Sequence, residues 1–196
     1  VNPQRVPPDH PLHTLPGVGC AYKLIEALYE RTGHIEETEQ FLDLVALGIV
    51  ADVATQTGDT RYLLQKGLKV LRKTQRIGLQ VLMEIANITP ERIDAQTIGF
   101  GIGPRMNALG RLGDANEAIE FLTTHEITRA EMLANRLEGL NNTRKDMMNR
   151  TQAGALKQIE QNPALVDNFS ILILSSEHWE GGIVGIVASR LVEKFN

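Results

Sequence analysis

The stretch TRAEMLANRLEGLNNTRKDMMNRTQAGALKQIEQ, residues 128–161, sets the architecture to be expected of this chain. Its apolar positions are Leu133, Leu137, Leu140, Met147 or Met148, Thr151, Ala155 and Ile159, the pattern of one helical face. Thr128 followed three residues later by Glu131 reads as a capping box that opens the helix. Pro163 closes it, because proline lacks the N–H that a continuing helix needs. A helix of this length with polar residues on its other faces often bridges two domains.

Upstream of this helix the chain reads as α-rich. Asp114 with Glu117 forms a second capping box. Residues 99–113 hold Gly99, Gly101, Gly103, Gly110 and Gly113 and read as a glycine-rich loop around a short helix. Thr89 before Pro90 is a helix-start pair. A basic helix is expected over residues 60–74, and an apolar one over 38–49 that ends near Gly48 and leads into a loop with Asp52. A further helix over 20–31 is closed by Gly33. Residues 1–16 carry Pro3, Pro7, Pro8, Pro11 and Pro16 and read as an extended, ordered arm or loop.

Downstream, the pattern changes. Phe169-Ser170-Ile171-Leu172-Ile173-Leu174 is apolar and β-branched and reads as a buried strand. Gly181-Gly182 then turns into a helix through Ser189 and Arg190. One strand and one helix cannot bury both faces of a sheet. The fold class expected is therefore α/β: an α-rich portion over 1–124, a connecting helix over 125–163, and the truncated start of a smaller α/β domain over 164–196.

Composition narrows the class. The chain has 196 residues, 42% hydrophobic and 22% charged, which is ordinary for a globular protein. Apolar runs are too short for a membrane span. The single cysteine, Cys20, excludes an internal disulfide framework and a cysteine-based zinc site. A cytoplasmic setting fits. The net charge of −4 argues against general polyanion binding, although residues 61–76 carry Arg61, Lys66, Lys69, Arg72, Lys73 and Arg76 and no acid. Such a stripe either tracks phosphates or is a solvated helix face.

Four motifs can carry chemistry. Leu15-Pro16-Gly17-Val18-Gly19 is a Gly-x-Gly turn whose N–H groups face either a phosphate or simply the packed start of a helix. Asp52 sits in an apolar run, where a carboxylate must be paired, used as a cap or bound to metal. Gly103-Pro104-Arg105-Met106-Asn107-Ala108-Leu109-Gly110-Arg111-Leu112-Gly113-Asp114 joins two arginine forks to glycines that permit close backbone approach, a pattern suited to an anion or to a structural turn. Past the expected strand, His178-Trp179-Glu180 offers an indole that either stacks on a base or plugs an interface. Ser189 and Arg190 meet a phosphate or pair on the surface.

In this order the segments Asn2-Pro3, Leu15 to Gly19, Ala46 to Ala54, Gly103 to Asp114 and Gly185-Ile186-Val187-Ala188-Ser189-Arg190-Leu191 resemble the RecJ-type exonucleases of the DHH phosphoesterase family. The resemblance covers essentially the whole chain, and its most specific element is the arginine–asparagine–glycine segment. It implies 5′→3′ hydrolysis of single-stranded DNA with Mn²⁺ or Mg²⁺, Asp52 as a metal ligand, and DNA contacts by Arg105, Asn107, Arg111, Ser189 and Arg190. It also implies a role in DNA repair and recombination. The family's Asp-His-His, Asp-x-Asp and Gly-Gly-Gly-His motifs are absent, and Asp9-His10-Pro11 does not replace the first. His178-Trp179 departs from the family's Trp-His order. The resemblance thus implies an internal piece of the enzyme, inactive alone. The rival readings are another DHH phosphoesterase acting on short oligonucleotides or cyclic dinucleotides, and a non-catalytic nucleic-acid-binding module.

Overall fold

A computed structural model describes residues 2–114 and 116–195, and of Asp167 only the backbone. The long helix, α8, runs unbroken over Ile127–Gln161. Its start differs in detail from the capping-box expectation. Ile127 is already helical, Glu126 is the cap residue, and Thr128 lies inside the first turn. Thr124 supplies the local brace instead, its hydroxyl accepting from the Glu126 N–H at 3.2 Å.

Before it come α1 (Gly17–Thr32), α2 (Leu42–Ala51), α3 (Gly58–Leu71), α4 (Ile77–Ile85), the single turn α5 (Ala95–Thr97), α6 (Gly103–Leu112) and α7 (Asn116–Thr123). Gly33 ends α1 in the left-handed region, φ 76°, where a side chain would be strained. Helix α4 packs against α8 and has no counterpart in the sequence reading. It buries Leu79, Val81, Leu82 and Met83 and exposes Gln80 and Glu84, four residues apart on its other side.

The glycine-rich loop expected at 99–113 is helical. Residues Ile98–Ile102 form a π-helical turn in which the Gly103 N–H bonds to the Ile98 carbonyl, and α6 continues from it. A Cβ on Gly103 would lie 2.9 Å from the Ile98 oxygen, so glycine lets the wide turn close. Pro104, lacking an N–H, fits the first turn of α6.

The α/β expectation is not met within this chain. Among the described residues there is no β-strand. Residues 171–176 alternate exposed and half-buried, the two-residue period of a strand, with Ile171 and Ile173 outward and Leu172 and Leu174 inward. A strand is defined by a ladder partner, and no described segment pairs with this one. Only α9 (Ala164–Asp167) and α10 (Gly181–Phe195) flank it.

Helix α8 carries two separate apolar clusters. Ala130, Leu133, Ala134 and Leu137 belong to a large core with Leu42, Ile49, Leu64, Leu71, Leu82 and Phe121. Met148, Ala155 and Ile159 form a smaller one with Ile183, Val187 and Leu191 of α10. Inside the large core sits one charged pair. The Asp43 carboxylate, almost fully buried, accepts from Thr74 Oγ1 at 2.7 Å and Arg76 Nε at 3.0 Å. Arg76 also donates to the Leu122 carbonyl at 3.2 Å, so α2, the α3–α4 turn and α7 share one polar knot.

Replacing Asp43 by Ala strands a part-buried guanidinium and is expected to cost about 3–5 kcal/mol, read by urea unfolding. Gly78→Ala tests backbone approach separately. Its Cβ would lie 2.1 Å from the Phe121 carbonyl oxygen, and thermal melts should show a loss at least as large as the ~1–3 kcal/mol of ordinary overpacking.

Candidate nucleic-acid interface

The Gly-x-Gly motif is consumed by packing. Gly19 is buried, and a Cβ there would lie 2.5 Å from the Leu15 side chain. Val18 fills the space left by Gly48 on α2, where a Cβ would be 2.7 Å away. The basic stripe also divides. Arg72 donates to the Ile93 carbonyl through Nε at 3.0 Å and Nη2 at 2.7 Å, and Arg76 serves Asp43. Lys66 lies over the Tyr62 ring, 5.3 Å from its centroid. Arg61, Lys69 and Lys73 stay on the surface, so the stripe is mostly fold and solvated face.

Asp52 is the C-cap residue of α2 and is exposed. The next residue, Val53, has φ 51° and is 89% exposed, an uncommon conformation for a β-branched side chain. Among the described residues, no group of three or more His, Cys, Asp or Glu side chains is placed to hold a metal ion. A divalent cation needs several oxygen or imidazole ligands. Asp52 supplies one carboxylate, which does not make a metal site by itself.

Arg105 and Arg111 lie on α6 but do different work. Arg105 pairs with Glu138 of α8 through Nε and donates from Nη1 to the Gly101 carbonyl at 2.7 Å. Its side chain is only 12% exposed, so two of its three nitrogens are spent on bracing the π turn against α8. Asn107 is exposed. Arg111, at the exposed C-terminal end of α6, donates from Nη1 to the Gly182 carbonyl of α10 at 2.7 Å. Gly182 permits this approach, since a Cβ there would sit 3.1 Å from the Arg111 carbonyl oxygen.

Ser189 and Arg190 lie eight and nine residues past Gly181, about two turns into α10 rather than at its positive end. Ser189 Oγ donates to the Gly185 carbonyl at 3.2 Å, and Arg190 Nη1 donates to Gln152 Oε1 of α8 at 3.0 Å. Both residues are exposed. Trp179 packs on Gly154, with Nε1 3.5 Å from where a Cβ would be, and belongs to the smaller core. It plugs that core, while His178 is solvent-exposed.

Two features escaped the motif reading. Asn141 and Arg144 of α8 sit where one apolar cluster ends and the other begins. Asn141 is fully buried, its Oδ1 accepting from Arg144 Nη2 at 3.0 Å. Burial, followed by the positive charges of Arg111 and Arg190, holds the Arg144 guanidinium below its usual range. Their signal was the missing apolar residue between Leu140 and Met147. The other feature is Phe100, 81% exposed on the π turn between buried Ile98 and Ile102.

Comparison with known proteins places this geometry. The single-stranded-DNA-specific exonuclease RecJ of Bacillus subtilis is 34% identical over 195 residues, covering 100% of this chain and 24% of the relative. The Escherichia coli RecJ is 36% identical over 208 residues, covering 100% of this chain and 36% of the relative. Over its whole length this chain is homologous to a part of RecJ. It spans between a quarter and about a third of the length of these curated RecJ relatives. A crystal structure of exonuclease RecJ bound to manganese superposes with a TM-score of 0.83 at 32% identity, over 100% of this chain and 48% of that one. The Thermus thermophilus RecJ in complex with Mn²⁺ gives 0.81 at 32% identity, over 97% of this chain and 29% of that one. No protein-family model matches. No helix among the described residues is long and apolar enough to cross a membrane.

Arg105→Ala would leave Glu138 and the Gly101 carbonyl without their partner. A loss of about 1.5–3 kcal/mol is expected for such charge-assisted bonds, measured by chemical denaturation. Arg111→Ala, on an exposed side chain, should cost about 1 kcal/mol or less by the same measurement.

Proposed function

We propose that this chain is part of a single-stranded-DNA-specific 5′→3′ exonuclease that uses Mn²⁺ or Mg²⁺ and acts in DNA repair and recombination. The observation that carries the reading is end-to-end similarity of this chain to RecJ at 34–36% identity, with metal-bound RecJ structures sharing its fold. Asp52 is one metal ligand in this reading. Its partners come from parts of the enzyme outside these 196 residues, which agrees with a lone carboxylate where a cation needs several donors. A bound cation would supply an activated water and charge neutralisation at the scissile phosphate.

In the same reading, residues 1–124 belong to the DHH domain, 125–163 connect, and 164–196 open the DHH-associated α/β domain. Residues 169–174 would then take their ladder partners from the remainder of that domain, which accounts for their two-residue exposure pattern. Asn107, Arg111, Ser189 and Arg190 contact the strand's phosphates, and Arg105 contributes through its remaining Nη2 while it braces the π turn. Phe100 offers a ring on which a base can stack, worth about 1–3 kcal/mol when so used. Little base readout is needed, because an exonuclease must pass any sequence and phosphate contacts are sequence-independent.

The test uses the full-length protein. It should release mononucleotides from 5′-phosphorylated single-stranded DNA in the presence of Mn²⁺, with duplex DNA resistant. Asp52→Asn should abolish release while single-strand binding in EDTA is kept. The 196-residue chain alone should release almost nothing. Robust Mn²⁺-dependent release by the isolated chain, or hydrolysis of cyclic dinucleotides in preference to DNA by the full-length protein, would overturn the reading.

A further inference from the structure

Three helices of this chain end in the same pair of crossing bonds. At α1, α2 and α4 the closing residue donates its N–H to the carbonyl three residues back, and its successor donates to the carbonyl five back. Gly33 donates to Glu30 at 3.2 Å and His34 to Tyr29 at 2.9 Å. Asn87 donates to Glu84 at 3.1 Å and Ile88 to Met83 at 2.8 Å. Val53 donates to Val50 and Ala54 to Ile49, both at 3.1 Å. This closure requires a left-handed residue. Gly33, at φ 76°, has no Cβ to crowd, and Asn87, at φ 53°, is a residue type that tolerates the region. Val53, at φ 51°, is β-branched and an outlier there.

Packing does not offset the strain. Val53 is 89% exposed, and Ala51 and Asp52 beside it are exposed as well, although α2 otherwise buries Leu42, Asp43, Val45, Ala46 and Ile49. An apolar side chain left in water on a crowded backbone is disfavoured twice. Residues in such conformations persist where their surroundings hold them, and they gather at functional sites.

Val53 adjoins Asp52, read above as a metal ligand whose companions lie outside these 196 residues. Each donor oxygen sits about 2.1 Å from a Mg²⁺ ion, so donors that share one ion lie within about 4 Å of each other. Any segment that completes a site at Asp52 therefore arrives at this corner, where Val53 is the next residue in the chain. We infer that Val53 is a positioning residue for Asp52. Its side chain seats against the arriving ligand-bearing segment of the full-length enzyme, and that contact fixes the left-handed corner and with it the direction of the carboxylate. The inference rests on the reading of Asp52 as a ligand. A residue that orients a metal ligand from behind sets the affinity without touching the ion.

The experiment compares Val53→Gly, Val53→Asn and Val53→Ile with the wild type and with Asp52→Asn. Gly and Asn relax the corner and remove the apolar side chain. Ile keeps the branch and the apolar surface. Melting of the 196-residue chain reads the strain alone. Gly and Asn should raise the midpoint by about 2–4 °C, and Ile should leave it in place. Mn²⁺ binding to the full-length protein, measured by calorimetry without DNA, reads the positioning. Gly and Asn should weaken it by roughly tenfold or more, and Ile should keep the wild-type affinity. A residue that only stops a helix does not move the two readings in opposite directions.

Wild-type Mn²⁺ affinity in Val53→Gly and Val53→Asn overturns the inference. So does a lowered midpoint of the 196-residue chain in both, because the corner then carries no strain. If the full-length variants do not fold, the Val53 methyl resonances of the wild type decide. A soluble paramagnetic agent must reach them in the 196-residue chain and be kept from them in the full-length protein, and equal exposure in both overturns the inference. Failure of the ligand reading looks different. In that case Asp52→Asn binds Mn²⁺ as the wild type does, and the role of Val53 falls with it. Loss of Mn²⁺ binding in Asp52→Asn beside wild-type affinity in Val53→Gly removes the role of Val53 alone.

Discussion

A helix of 35 residues is about 52 Å long, more than one small core can cover. Helix α8 therefore has to be buried twice, by different partners on successive lengths of the same face. Its first half lies against α4, α6 and α7, and its second against α10. Between the two lengths the stripe turns polar at Asn141 and Arg144. One bond between the elements of the two cores runs from Arg111 of α6 to Gly182 of α10, and another ties Arg190 of α10 to Gln152 of α8.

The arginines of this chain divide by what they touch. Arg72, Arg76 and Arg105 spend their forks on carbonyls and on the carboxylates of Asp43 and Glu138, fixing the turns they brace. Arg111, Arg144 and Arg190 bond only to neutral oxygens. Paired charges in the first group are structural, since removing one partner strands the other in a low-dielectric setting. The second group holds charge in reserve. That division, rather than a count of basic residues, separates the arginines that are paired with carboxylates or turn carbonyls from the rest in a chain whose net charge is −4.

The site near Asp52 follows a different logic. The helix that carries it ends with an N–H bond from Asp52 to the Gly48 carbonyl and a left-handed Val53, so the carboxylate projects from a rigid end rather than from a loop. The π turn of Ile98–Ile102 packs against the same helix, with Val50 3.6 Å from where a Gly99 Cβ would be. This puts exposed Phe100 on the element next to α2, while Arg105 locks that element to α8. A carboxylate, an aromatic ring and a braced arginine are thereby carried on elements packed against one another.

Local periodicity marked the helices whose apolar faces are cleanly spaced, α1, α3 and α8, because burial on one side repeats every three or four residues whatever the partner, while α2 was legible as an apolar stretch. Helix α4, with Gln80 and Glu84 exposed on one side of a buried face, was missed. The same reading turned the 99–113 segment into a loop, since glycines that serve a π turn look like glycines that serve flexibility. Residues 169–174 show the limit from the other side. Their apolar, β-branched run is legible as a strand, but among the described residues it has no ladder partner, and Phe169, Ile171 and Ile173 are exposed rather than buried. For the candidate site, the sequence by itself singled out Arg105, Asn107, Arg111, Ser189, Arg190 and Asp52 as chemically capable. Only tertiary structure decided that Arg105 is largely committed to Glu138, that Arg111 bonds to Gly182 and that Arg190 bonds to Gln152, because which acid or carbonyl reaches a guanidinium depends on helices far apart in the chain.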